Sequence, residues 1–106
     1  MELTIELLQK LCSERQMLFS AHSLERLHER GIYRKDIFNA IMTGEIIEHY
    51  PNDYPYPSCL VLGVTTSNKH LHVVCGCNGE IITIITAYYP TTDKFESDLK
   101  TRKEKE

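Results

Sequence analysis

The hydrophobic period of this chain changes once, at Gly44, and that change restricts the folds open to it. Before Gly44 apolar residues recur at helical spacing; after it, short β-branched runs alternate with turn residues. Three of those runs, "CLVLGVTT", "HLHVVCGC" and "EIITIITAYY", are separated by "SNK" and "NG". Both connections are of hairpin grade, and Asn-Gly is the strongest short hairpin signal because both residues tolerate positive φ. A fourth run, "EIIEHY", comes before them, across the proline-rich loop "PNDYPYPS". Pro90 closes the last strand, since proline has no N–H to give to a ladder.

Upstream, Leu3, Leu7, Leu8 and Leu11 predict an amphipathic helix from Leu3 to about Arg15. "MLFS" breaks that pattern, and Ser20 is a natural N-cap for a second helix from Ala21 to Arg30. Gly31 stands where a left-handed C-terminal cap belongs. A third helix, Arg34 to Thr43, presents Ile37, Phe38, Ile41 and Met42 to the core and ends at Gly44 by the same device. Residues 92–103 predict a short closing helix, with Phe95 and Leu99 at i, i+4. The expected fold is α+β: N-terminal helices packed on a four-stranded antiparallel sheet, with a short C-terminal helix. The 106 residues make one domain, and only the charged end "KTRKEKE", residues 104–106 above all, reads as disordered.

The chemistry begins with "FSAHSLERLHERGI". At 3.6 residues per turn, with Ala21 at zero, Leu24, Leu27 and His28 join Ala21 on an apolar arc. His22, Arg26 and Arg30 fall near about 100°, 140° and 180°, on the opposite side. That stripe is either a solvated face, with Glu25 and Glu29 trading i, i+4 contacts, or an anion site. In the third strand His72 shares a face with His70 and Val74, and a histidine within an apolar strand needs partners for its ring nitrogens. In the fourth, Thr86 and Tyr88 project together near the strand end, on the same side as Ile82 and Ile84 by strict alternation.

The formal net charge of −3 excludes a globally basic nucleic-acid binder, so an anion site must be a local patch. No apolar run nears the length of a membrane span, and the first residues lack the pattern of a signal peptide, which predicts a cytoplasmic protein. Cys12, Cys59, Cys75 and Cys77 are then expected as buried thiols. Convergence of Cys59, Cys75, Cys77 and His72 on zinc is the alternative, although "CGC" lacks the usual zinc spacing. No P-loop, GxSxG elbow, HExxH or GxGxxG is present.

If the helix stripe meets the sheet, His22, Arg26 and Arg30 converge with His72, Thr86 and Tyr88. Two imidazoles and two guanidiniums suit RNA cleavage through the 2′-hydroxyl. One imidazole takes the 2′-OH proton and the other protonates the leaving 5′-oxygen, each worth roughly 10²–10⁴-fold. The arginines stabilise charge growing on phosphate.

Taken in order, H-x-x-x-R-x-x-x-R-G-I, G-E-I-I-E-x-Y, L-H-V-V and I-T-A-Y-x-P resemble an uncharacterised bacterial family, domain of unknown function 4258. The resemblance runs from about Phe19 to Lys103. That family is in turn remotely similar to the RelE–barnase-like ribonucleases, many of them toxins of toxin–antitoxin pairs. The resemblance implies helices before a four-stranded antiparallel sheet, a site between helix and sheet, and RNA cleavage without metal or other cofactor. It implies RNA as substrate, ribosome-bound message included, and a small protein antitoxin as partner. On this reading His22, His72, Thr86 and Tyr88 are catalytic, and Arg26 and Arg30 hold phosphate. A non-catalytic protein- or RNA-binding module on the same fold is the alternative function.

Overall fold

A computed structural model describes residues 2–103. Helix α1 spans Ile5–Ser13, with the Thr4 hydroxyl accepting from the Leu7 N–H at 3.2 Å. The next residues, 17–19, do not merely break the pattern. They form a short strand, β1 (Met17–Phe19), that pairs in parallel with the last strand of the sheet. Helix α2 (Ala21–Glu29) starts at Ser20, whose Oγ accepts from the Ser23 N–H at 3.0 Å. It stops at Gly31, whose φ of 68° lets the Ile32 N–H reach back to the Leu27 carbonyl at 2.9 Å.

Helix α3 (Arg34–Thr43) buries Ile37, Ala40 and Ile41, whereas Phe38 and Met42 are 40% and 37% exposed. Its inner face is thus narrower than the sequence predicts, because the strand Ser58–Val64 meets α3 almost backbone to backbone at Gly63 and Ala40. The same closeness explains Gly44, whose backbone is extended (φ −98°, ψ −178°) rather than left-handed. Gly44 does cap α3, its N–H bonding the Ile41 carbonyl at 3.3 Å. A Cβ there would lie 2.4 Å from the Ala40 carbonyl oxygen, however, so glycine serves close approach and not a left-handed turn.

The remaining strands are β2 (Glu45–Tyr50), β3 (Ser58–Val64), β4 (His70–Cys77) and β5 (Ile82–Tyr88). The sheet order is β1-β5-β4-β3-β2. The expected four-stranded antiparallel sheet is therefore a five-stranded mixed one: β2 to β5 form the antiparallel part and β1 adds a parallel edge. The helices cover one face. Val61, Leu71, Val73, Cys75, Ile82 and Ile84 belong to that inner core, packed with Leu8, Leu27, Ile37 and Ile41.

The alternation along β5 is interrupted. Val74 pairs with Thr86 but Cys75 with Ile84, which leaves Ile85 as the extra residue of a bulge. Strict alternation puts Ile82, Ile84, Thr86 and Tyr88 on one side. The bulge instead sends Ile82 and Ile84 inward and turns Thr86 and Tyr88 to the outer face, beside His72.

No closing helix forms over 92–103. Asp98 accepts from the backbone N–H groups of Lys100 and Thr101 at 2.9 and 3.0 Å, and Leu99 adopts φ 61°. Such local side-chain bonds offer the backbone an alternative to helix. The segment becomes a strap across the outer face, joined by a Phe95–Arg102 bridge. Lys100 pairs with Glu45 at 2.8 Å, and Arg102 grips Glu48 through two bonds of 2.7 and 3.0 Å. Lys100, Thr101, Arg102 and Lys103, the first part of "KTRKEKE", are therefore built into the fold; residues 104–106 lie outside the described residues.

Candidate functional site

The outer face is where the polar chemistry collects. His72 is fully buried at its centre, beneath the strap. Nε2 lies 2.8 Å from the Leu99 carbonyl oxygen and Nδ1 3.3 Å from the Tyr88 hydroxyl. A carbonyl only accepts, so Nε2 carries the hydrogen and Nδ1 accepts from the Tyr88 O–H. Phe95 and Tyr88 both stand edge-on to the imidazole, with centroids 4.7 and 5.3 Å away.

Glu48 and Tyr50, on β2, complete the cluster. The Tyr50 hydroxyl donates to the Glu48 carboxylate that Arg102 clamps. Burial pushes Glu48 up, but the Arg102 guanidinium and the Tyr50 hydroxyl outweigh it and hold the carboxyl below its usual range. Burial together with the bond to Glu48 pushes the Tyr50 phenol up to about 12. Beside this cluster opens a cavity of about 420 Å³, lined by Tyr88, Tyr89, Thr91, Lys94, Phe95 and Arg102. Its chemistry is cationic and aromatic, which suits a phosphate next to a base.

Of the residues proposed from sequence, four come together. Arg30 Nη1 donates to Thr86 Oγ1 at 3.0 Å and to the Ala87 carbonyl at 2.8 Å. It bonds the β5 backbone beyond the end of the short β1. Thr86, Tyr88 and His72 follow along the same outer face. His22 and Arg26 are exposed on α2, and His22 is not among the partners that enclose the His72 ring. The expected pair of facing imidazoles is therefore not assembled. His28, placed by periodicity beside the core, is exposed, as is Ala21, and Ser23 takes the buried position with Leu27. The helix lies against the edge of β5 rather than flat on the sheet, so its inner arc is rotated from the one apolarity suggests.

The cysteine alternative fails on geometry. Cys59, Cys75 and Cys77 belong to the inner core and His72 to the outer face, so a β-sheet separates them. Among the described residues no His, Cys, Asp or Glu group has the arrangement of a metal site. The Cys59 and Cys75 sulfurs are 3.9 Å apart as free, buried thiols.

A family model described as a domain of unknown function (DUF4258) matches residues 19–89. The chain belongs to that family. No curated protein and no solved structure matches the chain. The DUF4258 match includes His72, Thr86, Tyr88 and Arg30 but ends at Tyr89, short of the Lys103 boundary expected from sequence. The strap that seals His72 lies beyond it. Lys94, Phe95 and Arg102 were invisible as site residues because their segment carried only a weak helical pattern. No described helix of the DUF4258 chain is long and apolar enough to cross a membrane.

Burial holds the His72 imidazole below its ordinary 6.5, and the Leu99 carbonyl and Glu48 carboxylate offset only part of that. The unfolded chain therefore takes this proton before the folded protein does. The stability it contributes is fully present above about pH 6.5 and is lost as pH falls through the lower folded value. Glu48 and Asp36, both held below the carboxylate range, add a second loss at more acidic pH. Thermal midpoints measured from about pH 8 to pH 5 should decline, and His72→Gln should flatten the first step. An identical profile in the variant would remove His72 as the cause.

Proposed function

We propose that this DUF4258 domain is an endoribonuclease of the toxin type, working without a metal ion, whose RNA site is the cleft on the outer face of the sheet. The observation that supports it is the Tyr88–His72 hydrogen bond on the wall of a cationic, aromatic cavity. Tyr88 takes the 2′-hydroxyl proton while passing its own to Nδ1 of His72. The 2′-oxygen then bonds to phosphorus, and the P–O5′ bond breaks. The products are a 2′,3′-cyclic phosphate and a 5′-hydroxyl, the leaving oxygen taking its proton from water in the open cleft. Lys94 and Arg102 stabilise the charge on the phosphoryl oxygens, and Tyr89 stacks on a base. Glu48 on the same face favours the imidazolium that forms, because its carboxylate raises the affinity of His72 for a proton.

Arg30, at the β5 edge where it bonds Thr86 and the Ala87 carbonyl, and Arg26, about 6 Å away along α2, extend the track for the RNA backbone, with His22 one turn further. The acidic balance of the whole chain gives little non-specific affinity for polyanions. A particular RNA, ribosome-bound message included, is therefore the substrate proposed, and a small protein antitoxin is the partner expected with it in the cytoplasm.

Purified protein incubated with RNA in EDTA should yield fragments ending in 2′,3′-cyclic phosphate. Tyr88→Phe should lower the rate by about 10²–10⁴-fold while RNA affinity changes little. RNA that stays intact yet bound supports the second reading, a non-catalytic RNA-binding module. That reading is favoured by one observation: both ring nitrogens of His72 are already occupied. RNA neither bound nor cut rejects both.

A further inference from the structure

A second cavity, of about 440 Å³, lies on the helix-covered side, where the edge strand β1 meets α1 and α3. Met17, Phe19 and Phe38 line it with apolar surface, and Arg15, Arg34 and Lys35 supply three cations. Among the described residues none of these cations has a carboxylate within salt-bridge distance. Arg34 lies over the Phe19 ring, 5.4 Å from its centroid. The Cys12 thiol at the base is pushed up to about 11 by burial, so covalent chemistry is not what the cavity offers.

Arg15 is informative for a separate reason. It terminates α1 at φ 60°, with the Gln16 N–H bonded to the Leu11 carbonyl at 2.8 Å. This left-handed cap position favours glycine, and α2 uses Gly31 at the equivalent place. An arginine here accepts backbone strain, and its side chain lines the cavity. Phe38, left exposed by the narrow inner face of α3, lines the same cavity.

β1 is the terminal strand of the sheet, and its far side carries no other strand among the described residues. Beyond it stand an apolar cleft and three cations that make no salt bridge among the described residues, on a chain that is acidic overall. We infer that β1 and this cleft form a docking site for an extended acidic segment of a partner protein. The segment adds as a sixth strand beside Met17–Phe19, sinks an apolar side chain against Phe19 and Phe38, and sets its carboxylates on Arg15, Arg34 and Lys35. RNA is the less suitable occupant, since the cleft is mainly apolar and an open strand edge offers backbone groups that pair with a peptide. The surface is distinct from the RNA cleft, and the inference stands without that reading.

The probe is a short fluorescein-labelled peptide with two central leucines flanked by glutamates and aspartates; its lysine-flanked counterpart is the control. Anisotropy should show binding of the acidic peptide alone. Arg34→Glu should weaken it about tenfold or more. Arg15→Gly should weaken it about fivefold while the thermal midpoint holds or rises, since glycine relieves the cap. A purely structural Arg15 predicts the opposite, unchanged affinity. Backbone amides of Met17–Phe19 should gain protection from hydrogen exchange when the peptide binds, and Tyr88→Phe should leave its affinity unchanged. Equal binding of the two peptides, variants that bind like wild type, displacement by single-stranded RNA, or unprotected β1 amides would each overturn the inference. Wild-type protein that binds the peptide but leaves RNA intact would count against the ribonuclease reading alone.

Discussion

Gly63→Ala should destabilise the protein by about 3 kcal/mol or more, because an added methyl group there has nowhere to go. A Cβ at Gly63 would lie 1.9 Å from the Ala40 carbonyl oxygen and 2.6 Å from its carbon. Both are backbone atoms of α3, so no flexible side chain can give way. The helix would have to lift off β3, opening the packing of Ile37 and Ile41, both fully buried. For a domain this size the thermal midpoint should fall by roughly 12–24 °C. Gly31→Ala provides the contrast. Its φ of 68° is unfavourable, but nothing lies within 4 Å of the added carbon. Its effect should stay near about 1 kcal/mol. Urea denaturation of both variants checks the pair, and a Gly63→Ala protein as stable as wild type would contradict the contact between α3 and β3.

His72→Ala should lose about 2–4 kcal/mol, the range seen when a large buried side chain is truncated and buried polar partners lose their bonds. The cavity left behind would be walled by Tyr88 and Phe95, and the Leu99 carbonyl and Tyr88 hydroxyl would both lose their partner. The larger consequence is local. Once His72 is gone, the strap is held mainly by Lys100–Glu45 and Arg102–Glu48, the first of which is an exposed pair of small expected worth. Cleavage by trypsin at Lys94 and Lys100 should therefore accelerate more than global unfolding predicts. Tyr88→Phe, which removes one hydrogen bond and keeps the ring, should cost only about 1 kcal/mol. If proteolysis of His72→Ala merely tracks global stability, the strap and the imidazole are not coupled as described.

The helices were legible because their signals are local. Ser20 and Gly31 cap α2 as their residue types require, and the antiparallel core from Glu45 to Tyr88 follows from β-branched runs joined by hairpin turns. The edge strand β1 was not legible. It has three residues, and its partner β5 lies more than sixty residues away in the chain, so no turn announces the pairing. The bulge at Ile85 was equally hidden. One extra residue moved Thr86 and Tyr88 to the face opposite Ile82 and Ile84 without changing any local propensity.

The candidate site divides along the same line. Sequence singled out His72, Thr86, Tyr88 and Arg30 as polar groups needing partners, and the fold brings those four along one sheet face and its edge. It also grouped His22 and Arg26 with them through helical phase alone. Phase places residues around a helix axis but says nothing about which side of the sheet that axis lies beside. Glu48, Tyr50, Phe95 and Arg102 became part of the cluster only through the strap, whose course depends on an Asp98 turn and on ion pairs reaching back to β2.

What the sequence determined by itself was the α+β class, the two caps of α2, the hairpin order and the family, because each depends on neighbours a few residues apart or on an ordered run of motifs. Only the tertiary structure decided that His72 is sealed, which face carries the chemistry and where a sheet edge stays open. Those are properties of long-range packing, where burial and steric fit between distant segments outweigh local preference.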